Sequence, residues 1–181
     1  ARGAKMITRD HQEVWNIPAP DNCEMQTARL LPDGNFLLAW VGHPAVIMEV
    51  NAKGDILSRT EYETGIQRPH SQFRQLNKNV RGNYLMPLFA TSEVREISPS
   101  GELVRVTKLE GTLFTTLAMK NGNYWVACGD GHALMEVDLV QVDLVALILV
   151  IWEDLEIYLK ASLAEAVVLQ EEEMGRLKVL I

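Results

Sequence analysis

Met25-Gln-Thr-Ala-Arg-Leu-Leu31, Pro32-Asp-Gly-Asn35, Phe36-Leu-Leu-Ala-Trp40, Ala45-Val-Ile-Met-Glu-Val50, Asn51-Ala-Lys-Gly54 and Asp55-Ile-Leu-Ser-Arg-Thr60 read as four short strands joined by turns. Pro32 fixes φ and Gly34 accepts positive φ, and Asn51-Ala-Lys-Gly54 has the same turn chemistry. Each therefore marks a tight antiparallel reversal, and successive strands form a meander.

The unit recurs. A second copy starts at His70-Ser-Gln-Phe-Arg-Gln-Leu76, turns at Asn79-Val-Arg-Gly-Asn83, and continues through Tyr84–Leu88, Glu93–Ile97, Ser98-Pro-Ser-Gly101 and Glu102–Val106. A third runs Leu113–Met119, Lys120-Asn-Gly-Asn123, Tyr124–Cys128 and Ala133–Val137. The first-turn glycines Gly34, Gly82 and Gly122 recur at about 40 to 50 residues, a period that belongs to repeat architectures. Four-stranded meanders at that period are the blades of a β-propeller, each burying its faces against its neighbours. The fold class expected is thus all-β, with blades at 24–61, 70–106 and 112–148. A β-sandwich with regular hairpins is the plainer alternative, but sandwiches rarely repeat a Gly-Asn register. Glu13–Ile17 reads as an outer strand without its own blade, expected to pair with the last blade and close the ring.

After 149 the pattern divides. Residues 153–176 are rich in Leu, Ala and Glu at helical intervals, which favours a helix locally. The same stretch also lays onto the first two strands of a fourth blade, with Gly175 at the turn.

Composition narrows the function. Hydrophobic residues make up 48% and charged residues 23%, enough to bury a core. The net charge is −7 and the 17 Lys and Arg are scattered, which excludes a nucleic-acid binder driven by a basic stripe. The longest apolar run, Leu144–Trp152, is far short of the roughly 20 residues of a membrane-spanning helix. Cys23 and Cys128 are too few for a disulfide scaffold and lack zinc-knuckle spacing.

By topology, the loops before the first strand and after the second strand of each blade emerge at one end. That end collects Arg68 and His70 before the second blade, Gly42-His43-Pro44 in the first, and Gly129-Asp130-Gly131-His132 in the third. Arg68, His70, His43, Asp130 and His132 are therefore the ligand-binding candidates. His70 is the best catalytic candidate, expected on the channel wall beside Arg68, since an imidazole is an acid, base or donor near neutral pH. The competing reading makes them ordinary loop residues. No metal site is assigned, because histidines on neighbouring blades are commonly too far apart to share an ion. Glu171-Glu-Glu173, Glu61 and Glu63 read as solvated faces, and Phe36, Tyr84, Tyr124 and Trp125 as packing between blades. No nucleophile elbow, zinc-protease helix or phosphate-cradling loop is present.

The blocks Leu31–Leu38, His70–Leu85 and Lys120–Val126 resemble blades of secreted bacterial propellers of the quinoprotein-like and arylsulfotransferase-like kind, over about residues 11–140. The resemblance implies a secreted or periplasmic propeller that binds a small molecule, glycan or protein. In arylsulfotransferase-like relatives a channel histidine serves group transfer, a place His70 shares by its position in the blade. An arylsulfotransferase-like or lyase-like enzyme is the alternative this carries. No quinone or other cofactor is expected, because Trp15, Trp40, Trp125 and Trp152 do not recur at one blade position. Such rings hold six to eight blades, so three blades imply a fragment, natural or engineered, a small ring, or self-association through open edges. The chain opens Ala1-Arg2-Gly3 without an initiator Met, which leaves no signal peptide to read and makes localisation an inference from resemblance alone.

Overall fold

A computed structural model describes residues 3–130 and 132–138 in full, and the strand backbones of 144–149, 168–170 and 177–179. The chain divides into two units, 1–150 and 151–181.

The described residues of the first unit are all-β apart from one 3-10 turn. A hairpin of β1 (Gly3–Ile7) and β2 (Glu13–Pro18) leads into three four-stranded antiparallel meanders. The first blade is β3 (Glu24–Leu30), β4 (Phe36–Val41), β5 (Ala45–Val50) and β6 (Ile56–Tyr62). The second is β7 (Asn77–Lys78), β8 (Tyr84–Leu88), β9 (Glu93–Ile97) and β10 (Leu103–Lys108). The third is β11 (Leu113–Ala118), β12 (Tyr124–Cys128), β13 (Ala133–Val137) and β14 (Leu144–Leu149). In the second unit β15 (Val168–Gln170) pairs antiparallel with β16 (Leu177–Val179). Of the helix expected over 153–176 only 168–170 are described, and they form strand β15; the rest of that stretch, Gly175 of the expected turn included, lies outside the described residues, as does Gly131.

The turn chemistry acts as its spacing predicts. Leu31, Asn79 and Met119 each donate a backbone N–H to an Asn carbonyl four residues on, and each accepts from the turn Gly three residues on. In the turns between third and fourth strands Asn51 and Ser98 donate likewise to the Asp55 and Glu102 carbonyls and accept from Gly54 and Gly101. The glycines at all five turns have φ between 86° and 98°.

Central strands of the first two blades are buried on both faces, because the second packs between the first and the third and the first between the β1–β2 hairpin and the second. Every residue of β5 and β8 is buried, whereas outermost β6 and β10 expose Ile56, Leu57, Leu103 and Val104. Leu37, Ala39, Val41 and Ile47 of the first blade pack with Phe73, Leu76, Tyr84 and Met86 of the second. Leu85 and Val94 of the second pack with Leu113, Tyr124 and Val126 of the third. Trp15 of β2 packs with Leu38, Trp40 and Met48 of the first blade and meets Phe36 edge-on at 5.5 Å.

Polar bonds fix the seams. Glu49, 6% exposed, accepts from Tyr84 Oη at 2.9 Å and pairs with Lys78 at 2.7 Å, both from the second blade. Burial first, then the bond to Glu49, raises the Tyr84 pKa. Thr27 Oγ1 donates to the Arg74 carbonyl at 3.2 Å and accepts from Leu76 N–H at 3.0 Å. Arg95 reaches back to Tyr62 Oη and the Thr64 carbonyl while pairing with Glu93.

Two expectations change. The first strand of the second blade does not span 70–76: Pro69–Ser71 is a 3-10 turn and the regular strand is only Asn77–Lys78. Pro69 has no N–H to give a ladder. The buried Gln72 amide takes over, accepting from Gly42 N–H at 3.0 Å and donating to the Gly42 carbonyl at 2.9 Å and the Ile66 carbonyl at 3.2 Å. The strand expected at 13–17 does form, but it pairs with β1, where the sequence had shown no strand.

Three substitutions check this account. Gly34 and Gly54 share a φ near 90°, but a Cβ at Gly34 meets nothing within 4 Å, while one at Gly54 falls 2.6 Å from Trp15 Cβ. Gly34→Ala should cost about 1–2 kcal/mol, and Gly54→Ala a further ~1–3 kcal/mol for overpacking, read by denaturant unfolding. Gln72→Leu should cost about 1–3 kcal/mol by orphaning the Gly42 backbone, read the same way.

Candidate functional site

Inner strands and second-to-third-strand loops of the three blades converge at one end, where residues from different blades meet. Glu24 opens β3; its carboxylate lies 3.1 Å from His70 Nδ1 in the 3-10 turn before the second blade. Gln26 Nε2 also donates to Glu24, at 3.0 Å. The His70 bond holds the Glu24 carboxyl below its usual value, against the smaller upward push of desolvation.

Arg74 continues the line inward. Its Nη1 donates to the His70 carbonyl, and its guanidinium lies over the Phe89 ring, 4.7 Å from the centroid. Phe89 meets Phe114 of the third blade edge-on at 5.3 Å. Phe114 remains 36% exposed. Gly129 makes room for that ring: a Cβ there would collide with Cε2 of Phe114. Thr112 Oγ1 donates to the Asp130 carboxylate beside it.

The result is a row, Glu24, His70, Arg74, Phe89 and Phe114, that crosses all three blades. A carboxylate at one end, an imidazole, a guanidinium and two ring edges form a surface suited to an anionic group attached to an apolar body. The other Arg74 N–H groups have no acceptor among the described residues.

The sequence candidates divide across this surface. His70 is in the row, but its side chain is 71% exposed and held by Glu24, and it stands in a turn ahead of the inner strand. His43 sits in the loop after β4, bonded through Nε2 to the Gln67 carbonyl at 3.0 Å and 3.6 Å from Glu63. That ties it to the loop carrying Arg68, which is exposed and has no side-chain partner among the described residues. Asp130 joins Thr112, and His132 is exposed with φ 45° in the loop of the third blade. No three His, Cys, Asp or Glu gather as metal ligands among the described residues. Cys23 and Cys128 form no disulfide among the described residues, and the Cys128 thiol donates to the Glu110 carbonyl at 3.5 Å. No helix among the described residues is long and apolar enough to cross a membrane.

Glu24, Arg74, Phe89 and Phe114 escaped the sequence reading. Glu24 and Phe114 look like ordinary strand residues, and only the neighbouring blade gives them a task. Arg74 looked like one more scattered cation.

Residues 4–154 match the family described as Mal s 1 allergenic protein-like. Among solved structures, a protein of unknown function from Bacteroides caccae is 60% identical, with a TM-score of 0.78, over 81% of this chain and 54% of that one. A catalytically inactive virginiamycin B lyase from Staphylococcus aureus, solved with quinupristin, has a TM-score of 0.62 at 14% identity over 83% of this chain and 49% of its own. The WD40 β-propeller domain of Doa1 has a TM-score of 0.60 at 14% identity, over 82% and 48%. The last two likenesses show the fold alone. The chain spans about half the length of each of these structures. No curated protein matches the sequence.

Removing the imidazole tests the Glu24–His70 contact. In His70→Ala the Glu24 carboxyl should titrate closer to its ordinary value, followed by carboxyl-carbon NMR. The sign is that of a depressed carboxylate: the contact favours the fold above the ordinary Glu pKa and is lost as pH falls through the lowered one.

Proposed function

Because the chain belongs to the Mal s 1 allergenic protein-like family and is built of propeller blades, we propose that it is a binding module whose loop face takes a ligand with an anionic group and an apolar or aromatic body. The observation that carries this is the Arg74 guanidinium, laid over Phe89 and left with unused donors in a row that ends on half-open Phe114. An anion at Arg74 gains charge-assisted hydrogen bonds, and an attached ring can stack against Phe114. A small molecule, an acidic glycan or a protein side chain fits this description. In the same proposal the protein acts outside the cytoplasm, on the likeness of its blades to secreted propellers.

One observation favours a second reading, an enzyme of the arylsulfotransferase-like or lyase-like kind. Glu24 orients the exposed His70 imidazole through a 3.1 Å contact, the pairing a general base needs. His70 would then take or deliver a proton at a group held by Arg74.

Para-nitrophenyl sulfate and benzoate serve as probes for both. Binding should shift NMR signals of residues 24, 70, 74, 89 and 114, and Arg74→Ala should weaken it about tenfold or more. No binding by either probe, or shifts elsewhere, would sink the module. Release of para-nitrophenol that His70→Ala abolishes would establish the enzyme; silence in the parent chain removes it.

A further inference from the structure

Each inner strand carries one residue more than the strand it pairs with. In the first blade Met25 faces Trp40 and Thr27 faces Ala39, which leaves Gln26 over. In the third, Leu113 faces Cys128 and Thr115 faces Ala127, which leaves Phe114 over. In the second, Phe73 faces Leu88 and Asn77 faces Leu85, again one residue in excess, and Arg74 follows Phe73 as Gln26 follows Met25. Gln26, Arg74 and Phe114 are 48 and 40 residues apart, the same intervals that separate the turn glycines Gly34, Gly82 and Gly122.

A bulge leaves its extra residue unpaired and re-aims the side chain. The residues just before the bulges, Met25, Phe73 and Leu113, pack into the cores between blades, while Gln26 and Arg74 stay half-buried and Phe114 exposed. The bulges also meet. Thr27, next to Gln26, donates through Oγ1 to the Arg74 carbonyl at 3.2 Å, and the N–H of Gln75, next to Arg74, donates to the Phe114 carbonyl at 3.0 Å. Gln26 thereby joins the row at its acidic end. Its Nε2 donates to Glu24 at 3.0 Å, and because an ionised carboxylate only accepts, the amide stands with Oε1 turned to receive a donor; that oxygen has no partner among the described residues.

The surface therefore has two ends of opposite charge. Glu24, held below the usual carboxylate range, is ionised at neutral pH, and an amide and an imidazole can both donate to it as neutral groups that leave its charge uncancelled. A carboxylate beside an amide oxygen is a set of acceptors alone, which suits an ammonium group. At the other end Arg74 turns its remaining donors to an anion, with Phe114 within reach of an attached ring.

Resting on the binding reading above, we propose that the ligand of this face is a zwitterion, an aromatic α-amino acid, with its carboxylate on Arg74, its ammonium on the Glu24 carboxylate and Gln26 Oε1, and its ring against Phe114. A plain aromatic anion such as benzoate fills the Arg74 and Phe114 part and leaves the acceptors unused. A second negative charge on the ligand is disfavoured, because it would approach Glu24.

The test uses the full 181-residue chain, with calorimetry for affinity and the NMR signals of Gln26, Arg74 and Phe114 for location. The probes are L-phenylalanine, N-acetyl-L-phenylalanine and benzoate. Phenylalanine should bind about tenfold tighter than its N-acetyl form, which keeps the carboxylate and the ring but has no ammonium. Glu24→Gln and Gln26→Leu should each bring that ratio toward one, whereas a variant that merely loosened the fold would weaken both ligands alike. Benzoate binding with phenylalanine no tighter than its N-acetyl form, or a ratio that survives both substitutions, overturns the zwitterion and leaves the binding reading standing. Failure of all three probes overturns both.

Discussion

Everything in this structure depends on one seam repeated from blade to blade: the inner strands of neighbouring meanders must be held together although no sheet ladder runs between them. Apart from one isolated bridge, Gln75 with Thr115, sheet hydrogen bonds among the described residues stop at each blade. Apolar faces supply most of the attraction, but apolar contact does not choose a register. Side chains choose it here. Thr27 bonds both an N–H and a carbonyl of the second blade, Gln72 does the same for Gly42, and buried Glu49 accepts from Tyr84 and Lys78. A buried ion pair adds little net stability once desolvation is counted, so the Glu49 cluster acts mainly as a register pin.

The binding surface is a consequence of that seam. Pinning the turn at Pro69–Ser71 to the first blade places His70 against Glu24 and turns Arg74 toward Phe89. Closing the second seam brings Phe114 to Phe89. Glu24 with His70 and Phe89 with Phe114 cross blade boundaries, and Arg74 with Phe89, inside the second blade, joins the two. The chemistry of the surface is accordingly a property of the stack, while its loops vary freely around a fixed frame.

The repeat was legible because turn chemistry is local. Gly34, Gly82 and Gly122 stand at positive φ, and short range alone requires that. Burial of the central strands was legible too, from uninterrupted apolar runs such as Ala45–Val50. The inner strand of the second blade was misread for the converse reason: His70–Leu76 has strand composition, but Pro69 and the reach of Gln72 to a residue 30 positions away override it. The β1–β2 hairpin was half legible, since Glu13–Pro18 alternates while Gly3–Ile7 carries little pattern until Trp15 shows which face is covered.

The sequence by itself determined the blades, their turns and their buried strands, because these follow from dihedral preference and periodicity within about 50 residues. Only the tertiary structure decided which polar residues meet at the loop end. Glu24 with His70 and Phe89 with Phe114 depend on distances between segments of different blades, and Arg74 with Phe89 on the fold of the second blade around them. Such distances are fixed by packing against a neighbour, and nothing in the local sequence encodes the neighbour's identity.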